Sequence, residues 1–134
     1  RMAAILGGRA AEEITFGELT TGSQQDIERV SNIARRMVCE LGMGGIGNVT
    51  FGRREHLGLL GQVSDTTAAR IDEAIHLLVE EAYGLALETL DSHRAQLNRV
   101  AVHLQKVETI DSLELDRLLA EQDGLSLDLD KLLA

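Results

Sequence analysis

The amino-acid sequence predicts an all-α fold: a bundle of about five helices with one long glycine-rich loop over residues 42–64. Three observations favour this class. The 134 residues include no proline, although average usage of about 5% would give roughly seven. Aromatic residues make up only 2% of the chain, against 44% hydrophobic residues in total. Apolar residues also recur every three or four positions over most of the length, which is the period of an amphipathic helix.

The first helix is predicted over residues 1–16, with Gly7 and Gly8 in its interior. A glycine inside a helix costs about 1 kcal/mol relative to alanine. We therefore expect another backbone segment to pack closely against this pair of glycines.

The second helix is predicted to begin at Ser23, after a loop over residues 17–22. Residues 23–26 read Ser-Gln-Gln-Asp, which has the form of a capping box, so the serine hydroxyl is expected to accept a hydrogen bond from the first turn. Thr20 or Thr21 is the alternative cap, and Gly42 is expected to end the helix. One apolar stripe runs along this helix and consists of Ile27, Val30, Ala34, Met37, Val38 and Leu41.

The segment 42–64 contains seven glycines and no long helical period, which is typical of a loop. Residues 48–51 within it are compatible with a short strand. A connection of this length in a compact domain is usually functional or mobile.

Three further helices complete the predicted bundle. One begins at Ser64 and continues to about Leu90, and the apolar period restarts at Ser92. Asp111 is expected to cap a short last helix that is rich in leucine. The main domain is predicted over residues 1–120, followed by a C-terminal tail over residues 121–134.

The charge and the single cysteine exclude several classes of protein. With 13 Lys and Arg against 22 Asp and Glu, the formal net charge is −9, whereas binding to a nucleic-acid backbone needs clustered cations. We therefore expect no nucleic-acid partner. No apolar stretch approaches the roughly 20 residues of a transmembrane helix, so the chain itself is expected to be soluble. Cys39 alone excludes an internal disulfide and fits a reducing compartment.

No complete catalytic pattern is visible. None of the four histidines has an H-x-x-x-H or Cys/His spacing, and neither a phosphate-binding G-x-x-x-x-G-K-[ST] nor a G-x-S-x-G motif occurs. Cys39 has no C-x-x-C partner and is interpreted as a structural thiol. We assign no catalytic residue to this chain.

Acidic residues on the predicted helices are more informative. Asp26 lies four residues before Val30 and seven before Ile33, so its carboxylate is expected to point to the apolar side of its helix. An inward carboxylate costs several kcal/mol unless it is paired, hydrogen-bonded or bound to a metal. The alternative, which the pattern alone favours, is that Asp26 accepts backbone N–H bonds in the first turn. Glu13, four residues after Arg9, has a similar alternative, an ion pair on the helix surface.

Two long blocks occur in order along the chain: LGGRAAEE over residues 6–13 and TTGSQQDIER over residues 20–29. Shorter blocks follow at residues 34–38, 64–72 and 104–111. Together these segments resemble the peptidase domain of the FtsH family. Members of this family are membrane-anchored, ATP-dependent zinc metalloproteases with an ATPase module ahead of the peptidase module. The resemblance covers roughly residues 1–120.

The resemblance implies that Asp26 supplies the third ligand of a catalytic zinc, because it occupies the aspartate position of the family's T-T-G-x-x-x-D-I-E-R block. A catalytic zinc takes three protein ligands and keeps one position open. The resemblance also suggests that Glu12 or Glu13 orients a zinc-bound histidine, with surface pairing to Arg9 as the alternative. The family's H-E-x-x-H helix, which supplies the other two ligands and the general base, is expected upstream of Arg1. The chain alone is therefore expected to be inactive.

Two classes of function stay open. In the first, the chain is the C-terminal helical part of an ATP-dependent zinc metalloendopeptidase that degrades membrane and misfolded proteins. The resemblance then implies zinc, ATP bound by a module absent from this chain, a homohexamer and a place on the cytoplasmic side of a membrane. In the second, the chain is a non-catalytic helical interaction or oligomerisation module built on the same scaffold.

Overall fold

The computed structural model describes residues 1–47 and 63–121. Every regular element in these residues is a helix, which confirms the all-α class. The α-helices are α1 (Met2–Ile5), α2 (Gly7–Phe16), α3 (Gln24–Cys39), α4 (Asp65–Ser92), α5 (Arg94–Val107) and α6 (Ser112–Ala120), with a 3₁₀ turn at Thr21–Ser23. Within the described ranges, none of these helices has the length and apolar character needed to span a bilayer. Most of the predicted loop, the candidate strand at 48–51 and all but the first residue of the predicted tail lie outside the described residues.

The predicted first helix is divided at Leu6 into α1 and α2. Leu6 keeps a backbone in the helical region, with φ −79° and ψ −2°, and its side chain is only 2% exposed. Its N–H donates to the carbonyl of Met2 at 3.1 Å, and its own carbonyl accepts from the N–H of Ala10 at 3.0 Å. The two helices therefore follow each other without an intervening loop.

The chain divides into two compact units, residues 1–89 and 90–134. In the first unit, small and branched side chains from α3 and α4 form the core. The buried cluster consists of Ala34, Val38, Cys39, Ile71, Ala74 and Ile75. Cys39 is 2% exposed, and burial raises the pKa of its thiol, which agrees with a structural role.

The close approach expected at Gly7 and Gly8 occurs elsewhere. A Cβ added to either glycine would meet no described atom within 4 Å, so the expectation for this pair is wrong. Gly44 instead has φ +101°, and a Cβ there would stand 3.1 Å from the Cβ of Ala74. Gly44 is thus the position where the chain runs against α4 too closely for a side chain.

Two helix starts are as the sequence predicts. The Ser64 hydroxyl accepts a hydrogen bond from the Thr67 N–H at 3.2 Å, at the beginning of α4. The Asp111 carboxylate accepts from the Glu114 N–H at 2.8 Å, at the beginning of α6. Both caps are contacts within one turn, which is why the sequence pattern suffices to locate them.

The second unit is held together by polar side chains of α5 that reach α6. The guanidinium of Arg99 donates to the carbonyls of Leu118 and Glu121 at 2.7 and 2.8 Å. These are carbonyls at the C-terminal end of α6, where cationic donors are favoured. The ring of His103 lies 2.6 Å from the Glu114 carboxylate.

Candidate metal-binding corner

The predicted site residues lie where α2, the 3₁₀ turn and the first turn of α3 meet. We call this region the α2–α3 corner; it consists of Arg9, Glu12, Glu13 and residues 20–26. All of it belongs to the first compact unit. Side-chain hydrogen bonds from α2 to the segment that leads into α3 hold the corner together.

Asp26 lies in the first turn of α3 with a partly buried side chain. It precedes Val30 and Ala34 by four and eight residues, and both are 0% exposed, so Asp26 heads the buried stripe of the helix as predicted. Within the described residues its carboxylate has no hydrogen-bond or ion-pair partner. Capping of α3 by Asp26, the alternative that the pattern favoured, is thus not observed there.

The predicted cap at Ser23 is wrong. Ser23 precedes α3, but its side chain makes no capping bond. Its hydroxyl, in a residue only 4% exposed, accepts a hydrogen bond from Nη1 of Arg9 at 3.2 Å. The Ser23 oxygen, which the capping-box pattern predicted to accept from a backbone N–H, instead accepts from the charged guanidinium of Arg9 on α2. Thr20, the alternative cap, accepts a long 3.4 Å bond from the Gly22 N–H and so caps the 3₁₀ turn.

The two glutamates of α2 have different partners. Glu12 accepts hydrogen bonds from the backbone N–H of Thr20 at 3.3 Å and from its hydroxyl at 3.1 Å. Glu13 accepts a hydrogen bond from the hydroxyl of Tyr83 on α4. Among the described residues, neither glutamate forms an ion pair with Arg9, and neither shares a hydrogen bond with Asp26.

Sequence reasoning assigned no role to Tyr83. The guanidinium of Arg9 lies over its ring, 5.9 Å from the ring centre, within the range of a cation–π contact. Burial of the ring and then the Glu13 carboxylate raise the pKa of Tyr83 to about 12, so the hydroxyl stays a proton donor at neutral pH. Tyr83 is one of the residues that carry the family resemblance, but that resemblance gave it no partner. The four-residue spacing of Arg9 and Glu13 places both on one face of α2 and likewise does not name a partner on α4.

An open pocket of about 430 Å³ lies beside the corner. Its lining includes Arg9, two residues of the 3₁₀ turn, Thr21 and Ser23, and Gln24 at the start of α3, but not Asp26.

A partly buried carboxylate with which no described side chain pairs is a suitable ligand for a divalent cation, because the metal would compensate the cost of its burial. In the described ranges, however, no three His, Cys, Asp or Glu side chains are grouped closely enough to hold a metal ion. Asp26 thus fits one ligand of a site, and a zinc bound to it would need further ligands.

Comparison with known proteins gives consistent results. The profile of peptidase family M41 matches residues 1–118. The chain is 43% identical over 129 residues to the ATP-dependent zinc metalloprotease FtsH 1 of Sphaerobacter thermophilus, which covers 90% of this chain and 20% of that protein. It is 40% identical over 130 residues to the ATP-dependent zinc metalloprotease FtsH of Thermotoga maritima, covering 91% of this chain and 21% of that protein. The chain thus spans about a fifth of the length of these curated relatives.

Proposed function

The chain belongs to peptidase family M41, and from that premise we propose that it is the C-terminal helical part of an ATP-dependent zinc metalloendopeptidase in which Asp26 supplies the third zinc ligand. The resemblance of residues 20–29 to the family's ligand block is one support for this role. Its relatives are named as ATP-dependent zinc metalloproteases, which supports zinc and ATP in the longer protein.

The state of Asp26 is the observation that carries the ligand role. The side chain heads a buried helical stripe, yet no described group donates a hydrogen bond to its carboxylate. A bound cation would supply the compensation that a partly buried anion needs. Asp26 would then hold the zinc together with two histidines of an H-E-x-x-H helix in the part of the protein that precedes Arg1.

Zinc, when bound, would polarise a peptide carbonyl and acidify water for hydrolysis. The task of this chain is to hold the Asp26 carboxylate at a fixed place and to partly exclude solvent from it. Glu12 is tied to Thr20 and Glu13 to Tyr83, so we propose that these acids act on the geometry of the corner. Their orientation of a zinc-bound histidine stays a prediction.

For the whole protein we propose membrane and misfolded proteins as substrates, ATP bound by a separate module, a homohexameric assembly and a place on the cytoplasmic side of a membrane. These proposals rest on the family resemblance. We propose no nucleic-acid partner, because the chain carries a net charge of −9.

The ligand role is tested by Asp26→Asn in a longer protein that includes the H-E-x-x-H helix. Asparagine has nearly the size and shape of aspartate but lacks its charge, so the variant should lose zinc and peptidase activity together. Its melting temperature in chelator should move by no more than a few degrees. Asp65→Asn is the matched control, since Asp65 is an exposed acid in the first turn of α4.

The outcomes separate the two classes of function. Full zinc occupancy in Asp26→Asn would exclude the ligand role. Absence of metal-dependent hydrolysis by the unaltered longer protein, with any hexamer intact, would favour the non-catalytic interaction module. A large fall in the melting temperature of Asp26→Asn in chelator would show that Asp26 is needed for the stability of the fold.

A further inference from the structure

The segment that carries Asp26 is held by α2 at two points. At one, Glu12 accepts two hydrogen bonds from Thr20, directly before the 3₁₀ turn. At the other, Arg9 donates to Ser23, the residue directly before α3. The 3₁₀ turn between these points is thereby fixed to α2 at both ends.

The contact at Ser23 controls the position of Asp26 most directly. From Ser23 the backbone enters α3 at once, with φ −59° and ψ −44° at Gln24, so Ser23 and Asp26 are linked by one helical turn. Three residues of helix advance about 4.5 Å along the axis. A shift or rotation of Ser23 is therefore passed on to the Asp26 carboxylate.

Arg9 is itself held by α4. Its guanidinium lies over the face of Tyr83, and the hydroxyl of that ring donates to Glu13, one turn further along α2. The ring of Tyr83 thus contacts the Arg9 cation, and its hydroxyl binds the Glu13 anion on the same face of α2. The result is a chain of contacts from α4 through Arg9 to the residue that begins the Asp26 helix.

We infer that Arg9, held over the ring of Tyr83, is the positioning residue for Asp26. The inference rests on the proposed function of Asp26 and extends it to residues outside the ligand set. Arg9 does not contact the metal; it fixes the start of α3 so that the carboxylate is presented in one place. Groups that orient metal ligands typically change metal affinity by about 10- to 100-fold when they are removed.

The first arm of the test uses the 134-residue chain and no metal. Arg9→Met keeps the length of the side chain but removes its charge and its donors. Amide hydrogen exchange at residues 22–25 should become several-fold faster, while exchange at Val38 and Cys39 in the core should stay unchanged. Arg36→Met is the control, because Arg36 lies exposed on α3 and pairs only with Glu40 one turn further along that helix, among the described residues. Unchanged exchange at residues 22–25 in Arg9→Met would overturn the inference.

The second arm measures zinc affinity, by competition with a chelator, in the longer protein that includes the H-E-x-x-H helix. Arg9→Met should raise the zinc dissociation constant at least about tenfold, and Arg36→Met should leave it unchanged. Tyr83→Phe, which keeps the ring, should weaken zinc less than Tyr83→Leu, which removes it. The reverse order, or full affinity in Arg9→Met, would contradict the positioning role.

A folding defect does not leave the inference untested. Should Arg9→Met fail to fold, Ser23→Ala removes only the acceptor oxygen and should shift both readouts in the same direction. Failure of the inference is also distinct from failure of the proposed function. Loss of zinc in Asp26→Asn with full affinity in Arg9→Met overturns the positioning role alone, whereas full zinc occupancy in Asp26→Asn overturns the ligand role itself.

Discussion

The hydroxyl of Tyr83 on α4 donates a hydrogen bond to the carboxylate of Glu13 on α2, across 70 positions of sequence. This contact joins two helices of the first compact unit and leaves the face of the ring free for Arg9. Because the neutral hydroxyl is the donor, the contact favours the protonated tyrosine. The free energy of unfolding of this unit should therefore fall in the alkaline pH range, where the tyrosine loses its proton.

The raised pKa of Tyr83 predicts that stability falls at high pH. The chain has one tyrosine, whose pKa rises from 10 to about 12 on folding because of burial and then the Glu13 carboxylate. Above pH 10 the folded state holds the proton and the unfolded state releases it, so this contribution is complete below pH 10 and is lost as the pH rises towards 12. Tyrosinate absorbance and denaturant unfolding across this range measure the effect. Glu13→Gln should lower the pKa of Tyr83, and a wild-type pKa near its ordinary value would contradict the contact.

The isolated chain should show no peptidase activity. It supplies one proposed zinc ligand, and we assign no general base to it. A lone carboxylate holds zinc only weakly, so added zinc should not restore activity. Metal-dependent hydrolysis of casein by the purified 134-residue chain, abolished by chelator, would show that the essential residues lie within it.

Gly44 and Gly8 should respond to alanine in opposite directions. Gly44→Ala places a side chain at φ +101° and 3.1 Å from Ala74, so we expect a loss of about 2 kcal/mol or more. Gly8→Ala adds a methyl group in a helix where no described atom lies within 4 Å of it, so we expect a gain of up to about 1 kcal/mol. Denaturant unfolding of both variants beside wild type gives the two differences. A loss of stability in Gly8→Ala would indicate that another segment does pack closely against Gly8, as the sequence suggested.

The cap of α6 can be tested by paired substitutions at Asp111. Its carboxylate accepts from the Glu114 N–H, so Asp111→Ala should cost about 1 kcal/mol, while Asp111→Asn should be nearly neutral. The measurement is the exchange of the amides of α6, because a lost cap shows first as local opening of the helix that it begins. Equal protection in the alanine and wild-type chains would mean that the cap contributes nothing.

Local patterns were sufficient for the helices and for their better-defined ends. Ser64 and Asp111 cap α4 and α6 through contacts three residues away, and a pattern of that length is visible in the sequence. The same is true of the inward placement of Asp26, which follows from its four-residue spacing to Val30. The boundary between the predicted main domain and its tail at residue 120 stays a prediction, as does the ligand role of Asp26.

The helical class and the place of Asp26 on its helix could be predicted from the amino-acid sequence, because each depends on residues close together along the chain. The family could be predicted from blocks of residues in a fixed order. The long-range partners became visible only in the packed helices. The Ser23 hydroxyl accepts a hydrogen bond from Arg9 and not from its own helix. The close approach of two segments is at Gly44, and the partner of Glu13 is Tyr83. Each of these contacts joins segments that are distant in sequence, and which donor reaches which acceptor depends on how the helices pack, a choice that no local spacing contains.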